Sequence, residues 1–255
     1  MSNKVLIMGV VNVTPNSFSD GGHYLAAAAA IAHGRQLLAD GADVLDIGGE
    51  ATNPRAQPIT ADEELARILP VIEGLRGATI SVDTTKADVA RAAIAAGAIW
   101  INDVSGGLFD PTITSVIPAG VTYICGHLRG RSLPEVFATE NPVTWQEVVA
   151  DLRARLATIP SHVETWVDPG LGFGKGGDAQ TNIDLIRHAG DIGRELGCPV
   201  MVGPSRKRFL SRWLPDEPDP DRATVAACLE AVRAGARMLR VHNVALLRTA
   251  LTAYN

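Results

Sequence analysis

A single α/β domain built as a (β/α)8 barrel, the TIM-barrel architecture, is the fold class that residues 1–255 predict. Three observations carry this reading. Short, apolar, β-branched runs alternate with longer stretches rich in Ala, Leu, Glu and Arg, as βα units around a parallel sheet should. The units number eight, enough to close the sheet on itself. No GxGxxG pattern follows the first run, so an open dinucleotide-binding sheet is the poorer fit. The 255 residues, 46% of them apolar, show no break in composition, and a barrel commonly takes about 250 residues as one domain.

Strands are expected at Val5–Val11, Val44–Gly48, Thr79–Asp83, Ile99–Asn102, Val121–Cys125, Thr165–Asp168, Val200–Gly203 and Met238–Val241. Each is short and largely apolar because a strand of a parallel barrel is covered on both faces. Helices fall between them. Ala61–Leu75 follows Thr60, with Glu63 at the spacing of a capping box. Amphipathic segments run over Asp184–Leu196 and Asp221–Ala234, and the alanine run Ala26–Ala30 continues as a helix into Gln36, Leu37 and Leu38. Pro215, Pro218 and Pro220 lack N–H donors, so the stretch from Pro215 to Asp221 reads as a surface loop rather than a domain linker.

A net charge of -5 argues against broad nucleic-acid binding but leaves room for a local positive site. No run reaches the roughly 18 consecutive apolar residues of a membrane helix. The apolar start Val5–Val11 meets Asn12, Thr14 and Pro15 with no small-residue cleavage pattern, so it reads as a strand rather than a signal peptide. Cys125, Cys198 and Cys228 are unevenly spaced in apolar runs without CxxC pairing, which suits a reducing, cytoplasmic setting. The six histidines lack HExxH or paired spacing, so no dedicated zinc site is expected, and His23, His33, His162 and His188 read as surface or core residues.

Function is expected where polar residues gather. Asn12, Glu50, Asp83, Asn102 with Asp103, His127, Asp168, Lys207 and Arg240 with His242 fall at or just past the C-terminal ends of the expected strands. In a (β/α)8 barrel those ends converge on one mouth. Taken singly, each Asp or Asn is equally well explained as a helix cap or a loop tie. Their recurrence at every unit is what points to a site. Asp83, Asn102 and Asp168 suit a ligand edge with several N–H donors, since a carboxylate accepts two parallel hydrogen bonds. Lys207, Arg240 and His242 come from units seven and eight, where this fold usually holds phosphate. A donor-rich heterocycle with an anionic tail fits both halves. Asn12 is the candidate ligand for a Mg2+ held mainly by substrate phosphates, because Mg2+ keeps several waters and needs few protein ligands.

The segment Met8-Gly9-Val10-Val11-Asn12-Val13-Thr14-Pro15-Asn16-Ser17-Phe18-Ser19-Asp20-Gly21-Gly22 resembles the first signature of the dihydropteroate synthase family. Similarity continues through Asp46–Glu50, Ser81–Lys86, Ile101–Asp103, Asp168–Lys175, Ser205–Lys207 and Arg240–His242, nearly the whole chain. The resemblance implies condensation of 6-hydroxymethyl-7,8-dihydropterin diphosphate with p-aminobenzoate to give 7,8-dihydropteroate and diphosphate, a step of folate biosynthesis, with Mg2+ as cofactor and a homodimer as the assembly. It implies that Asp83, Asn102, Asp168 and Lys207 hold the pterin, while Asn12, Arg240 and His242 serve the diphosphate and its metal. Phe18 falls on what resembles a covering loop, Phe173 and Ser205 lie beside the implied amine pocket, and Thr52 lies near the reacting centre. Asp83, Lys207 and Thr52 are the candidate catalytic residues.

Two segments depart from the family pattern. After Gly48-Gly49-Glu50 the family usually reads Ser-Thr-Arg-Pro-Gly, whereas this chain has Ala51-Thr52-Asn53-Pro54-Arg55. Asn53 cannot replace an arginine electrostatically. Arg55 either restores that charge from two residues away or is a solvated loop residue. The fifth unit, Gly126-His127-Leu128-Arg129-Gly130-Arg131-Ser132, also differs from the usual Met-His-Met type segment, which bears on amine selectivity. Two other functions compete. A pterin-dependent methyltransferase shares the Asp and Asn contacts but lacks the motif from Asn12 to Gly22 and the Ser205-Arg206-Lys207 set. A pterin-binding homologue without synthase activity draws its support from Asn53. If Arg55 supplies the missing charge, Arg55→Ala should weaken use of the diphosphate substrate more than binding of free pterin, and kinetics equal to those of the parent would reject that role.

Overall fold

The computed structural model describes residues 4–13, 20–53, 57–138, 142–175 and 179–254. Strands β1 (Leu6–Asn12), β2 (Val44–Gly48), β3 (Ile80–Asp83), β4 (Trp100–Asp103), β5 (Thr122–Gly126), β6 (Glu164–Asp168), β7 (Met201–Val202) and β8 (Met238–Val241) form one eight-stranded parallel sheet in the order β6-β5-β4-β3-β2-β1-β8-β7. A parallel bridge between Val167 and Val200 brings β6 to the foot of β7, and the Val167 N–H donates to the Pro199 carbonyl at 3.0 Å. The sheet thus closes as the (β/α)8 barrel that the alternation of runs predicts.

Around it lie α1 (Asp20–Ala39), α2 (Ala61–Gly74), α3 (Ala87–Ala96), α4 (Leu133–Ala138), α5 (Trp145–Leu156), α6 (Ala179–Arg187), α7 (Ala189–Leu196), α8 (Phe209–Trp213), α9 (Pro220–Arg233) and α10 (Val244–Tyr254). The capping box of α2 is formed: the Glu63 N–H donates to Thr60 Oγ1 at 3.2 Å and the Thr60 N–H to Glu63 Oε2 at 2.9 Å. Thr144 and Glu147 repeat it at the start of α5.

Two helix expectations need correction. Asp184–Leu196 is not one helix but the end of α6 and all of α7, broken at His188, whose ring stacks on Trp145 at 5.0 Å. Just beyond the break the Gly190 N–H donates to the Ala234 carbonyl at 2.7 Å, and a Cβ at Gly190 would lie 2.3 Å from that oxygen. The redirected α7 can therefore meet the turn after α9 only through glycine. The helix expected from Asp221 begins at Pro220, because Asp219 caps it by accepting the Asp221 N–H at 2.8 Å and proline is pre-set for a first helical turn.

The barrel interior follows from the two-residue period of its strands. Met8, Val44, Ile124, Trp166, Met201 and Met238 pack together as an apolar floor, with Trp100 edge-on to Trp166 at 5.2 Å. Side chains two residues on point to the same face. That step leads from Val44 to Asp46, from Trp100 to Asn102, from Trp166 to Asp168 and from Met238 to Arg240. A polar layer therefore sits directly above the floor. Alternate residues such as Ile7, Leu45, Ile101 and Leu239 face outward into the main core against the helices. Among the described residues no helix is long and apolar enough to cross a membrane.

Candidate active site

Above the floor, the C-terminal ends of the strands enclose a cavity of about 490 Å³. Its walls include Asn12, Thr52, Asn53, Asp83, Asn102, Asp168, Phe173, Ser205, Lys207, Arg240 and His242. Eight of the strand-end positions singled out from sequence are thus brought together here, Glu50 among them. Phe18 and Arg55 lie outside the described residues.

At the centre is Arg240. Its Nε donates to Asp46 Oδ2 at 2.6 Å and its Nη2 to Asp83 Oδ2 at 2.7 Å. Asp46 is fully buried, and the same Oδ2 accepts from Asn102 Nδ2 at 3.0 Å. The expected division of the mouth into an acidic and a basic half is therefore corrected: the guanidinium lies between two carboxylates rather than apart from them. Sequence reasoning assigns Asp46 no role. The signal was available, since an aspartate in the middle of the strand Val-Leu-Asp-Ile-Gly has no reason to be buried unless something is paired with it.

Burial pushes the Asp83 carboxyl upward, with Arg240 pulling down and Asp46 adding to the rise. Burial likewise raises Asp168, opposed by the Gly170 N–H that its Oδ1 accepts at 2.8 Å and by Lys207. Asp46 Oδ1 and Asn102 Oδ1 are buried without a hydrogen-bond partner among the described residues. An acceptor left unpaired in a buried layer is costly unless a ligand supplies the donor. Lys207 closes one side, with its Nζ 4.1 Å from the centre of the Phe173 ring. Burial, then the Arg240 charge, bring its amine down to about 8.

The loop after β7 places Ser205 and Lys207 by turning at Arg206, the one non-glycine at positive φ (56°) among the described residues. The strain of that left-handed residue is offset by a two-pronged pairing of its guanidinium with Asp221, at 2.8 and 3.0 Å. Arg206 also lines the cavity, which sequence reasoning did not single out. Ser205 Oγ accepts the His242 N–H at 3.2 Å and lies 2.9 Å from His242 Nδ1. The hydroxyl, which has one donor and two acceptor sites, can pair with Nδ1 in either tautomer of the ring.

Other strand-end groups turn away. Asp103 is buried among the Ser105 and Gly107 N–H groups and the Ser105 and Tyr123 hydroxyls, at 2.7 to 2.8 Å, so it ties the loop after β4. His127 is buried against Asp151, 3.0 Å from its Nε2. Neither lines the cavity. Glu50 does, but it anchors the loop after β2, accepting Ile59 N–H at 2.9 Å and Lys86 Nζ at 2.7 Å.

Residues 8–242 match the family model described as pterin binding enzyme. The dihydropteroate synthase of Mycobacterium leprae (strain TN) is 42% identical over 258 residues, covering 94% of this chain and 89% of that protein. The chain belongs to the dihydropteroate synthase family. A mitochondrial folate synthesis bifunctional protein of Arabidopsis thaliana is 39% identical over 269 residues, and there the chain spans about half of the relative, 48% of its length. Among solved dihydropteroate synthases, that of Xanthomonas albilineans with 4-aminobenzoic acid superposes with a TM-score of 0.84 at 41% identity, covering 98% of this chain and 92% of that one.

Burial first, then the Arg206 and Arg240 charges, lower the His242 ring to about 4. On unfolding it returns to an ordinary value near about 6.5. Between those two values the unfolded chain binds more protons than the folded one, so this ring's contribution to stability is intact above about pH 6.5 and is lost as pH falls toward about 4. NMR of the folded chain should show His242 neutral from pH 8 down to 5, and a midpoint near 6.5 would contradict the burial of the ring.

Proposed function

We propose that this chain is a dihydropteroate synthase, condensing 6-hydroxymethyl-7,8-dihydropterin diphosphate with p-aminobenzoate to release diphosphate and 7,8-dihydropteroate. The observation that carries the reading is the set of acceptors lining the cavity: the Asp83 and Asp168 carboxylates, and Asn102 Oδ1, which has no donor among the described residues. A pterin edge, rich in N–H groups, is the kind of ligand such a floor selects. Asp83, Asn102, Asp168 and Lys207 are assigned to the ring.

The diphosphate falls to the opposite wall, which Lys207, Arg206 and the His242 ring line. Arg240 takes a different part from the one its sequence position suggests, since both of its bonded nitrogens hold carboxylates. In the reaction the C–O bond to diphosphate breaks, the pair leaves with the anion, the amine nitrogen forms the new C–N bond, and its proton passes to solvent. Departure ahead of attack leaves a cationic pterin, which the Asp83 carboxylate stabilises in a site of low dielectric. No protein nucleophile takes part. Thr52 and Phe173 border the place where the amine enters, and Ser205 orients His242.

Magnesium belongs to this proposal through Asn12, a single amide oxygen donor at the rim of the cavity. No cluster of three His, Cys, Asp or Glu stands ready for a metal among the described residues. One protein ligand suits a Mg2+ carried by the substrate's own phosphates, where it would neutralise the leaving group. A homodimer in the cytoplasm is the setting we propose, consistent with buried free thiols at Cys125 and Cys228.

Asn53 on the cavity wall favours one competing reading, a pterin binder without turnover. Incubation with dihydropterin diphosphate, Mg2+ and p-aminobenzoate decides between them. Stoichiometric dihydropteroate and diphosphate are expected, with Asp168→Asn lowering kcat/KM for the pterin substrate by about tenfold or more. Pterin binding without product would overturn the synthase reading, and methyl transfer from methyltetrahydrofolate would replace it with the methyltransferase.

A further inference from the structure

The turn between β6 and α6 carries Asp168 at its start and Phe173 at its middle, and inside it sits a charge with no partner of opposite sign in hydrogen-bond reach among the described residues. Lys175 is only 1% exposed. Its Nζ donates to the carbonyls of Gly170 at 2.7 Å, His127 at 3.1 Å and Phe173 at 3.4 Å. A buried ammonium is expensive, and three carbonyl dipoles repay it only where the backbone is held still. Burial, the largest influence, brings this amine down to about 7, although Asp168 pulls upward.

The three acceptors belong to three pieces of the site. His127 directly follows β5, and its own N–H donates to the Asp168 carbonyl at 2.9 Å. Gly170, at φ 70°, gives its N–H to the Asp168 carboxylate, and a Cβ there would lie 1.8 Å from the His127 oxygen and 3.1 Å from Lys175 Nζ. Phe173 presents the ring on which Lys207 rests. That ring also meets Phe137 of α4, with centroids 5.8 Å apart, within a small cluster with Val104, Leu128 and Val136. Lys175 thus ties the backbone that carries Phe173 to the residue after β5.

We propose that Lys175 is a positioning residue for the amine half of the site: by clamping the carbonyls of His127, Gly170 and Phe173 together it sets where the Phe173 ring stands beneath Lys207. It touches no substrate. The pterin half depends on it less, because Asp168 and Asn102 stand on strands paired along their length and Lys207 is carried by the separate segment between β7 and α8. This rests on the synthase reading above, which supplies p-aminobenzoate as the ligand of the Phe173 side.

The experiment compares the parent chain with Lys175→Met, which keeps the length and loses all three donors. Equilibrium affinities for 4-aminobenzoate and for 6-hydroxymethylpterin are measured by calorimetry, alongside the KM of each substrate. The expected result is a split: amine affinity falls by about tenfold and its KM rises in parallel, while pterin affinity stays within about twofold. Lys175→Gln, whose amide retains two donors, should show the same split at smaller amplitude. Equal losses of both affinities, or no change in either, would overturn the assignment, as would failure of both variants to fold, since the lysine would then serve the fold and not the ring. A parent chain that binds both ligands but makes no dihydropteroate sinks the synthase reading alone, because the equilibrium split is still measured.

Discussion

The site depends on one interaction, the pairing of Arg240 with Asp46 and Asp83. A barrel strand is covered on both faces, so a polar layer inside it has to satisfy itself or stay in contact with solvent and ligand. The guanidinium provides for two carboxylates at once, and Asp46 in turn orients Asn102. Three strands, β2, β3 and β8, together with the end of β4, are thereby joined across the interior by side chains as well as by their backbone ladders. Among the described residues the second oxygens of Asp46 and Asn102 stay unpaired, and Asn102 lines the cavity. Polar satisfaction of the fold and recognition of a donor-rich ligand are the same problem here, solved by leaving the last acceptors for the ligand.

Around that centre the loops are fixed by a repeated device, a buried cation on backbone carbonyls. Arg155 of α5 donates to the carbonyls of Ser105, Gly126 and Leu128, binding the ends of β4 and β5 to a helix. Lys175 does the same one unit further on. Lys86 instead gathers carboxylates, at 2.7 Å from Glu50 and 2.5 Å from Glu64, beneath the loop that carries Thr52 and Asn53. None of the three cations lines the cavity, and of the wall residues Glu50 gives its carboxylate to one of them.

Much of this was legible in the sequence. The eight strands were found because buried parallel strands are short, apolar and regularly spaced, and the cavity residues because Asn12, Asp83, Asn102, Asp168, Lys207, Arg240 and His242 stand at strand ends that a barrel must bring together. The capping box at Thr60 was readable because its chemistry is local. Partner choice was not. Nothing in the chain order tells that Arg240 faces Asp46, 194 positions away, or that His127 and Asp103 at equivalent strand ends turn outward to Asp151 and Tyr123. The break at His188 was hidden for a similar reason: the amphipathic pattern runs through it, and only the close approach of Gly190 to Ala234 requires the chain to bend.

The most direct test of the Arg240 pairing is a double-mutant cycle on Asp46→Asn and Arg240→Met, read by urea unfolding of the ligand-free chain. If the guanidinium holds the polar layer together, each single change should cost about 3 kcal/mol, because each strands a buried partner, and the double variant should cost less than their sum by at least about 1 kcal/mol. Losses that simply add, to within about 0.5 kcal/mol, would mean the two side chains act independently and would contradict the account.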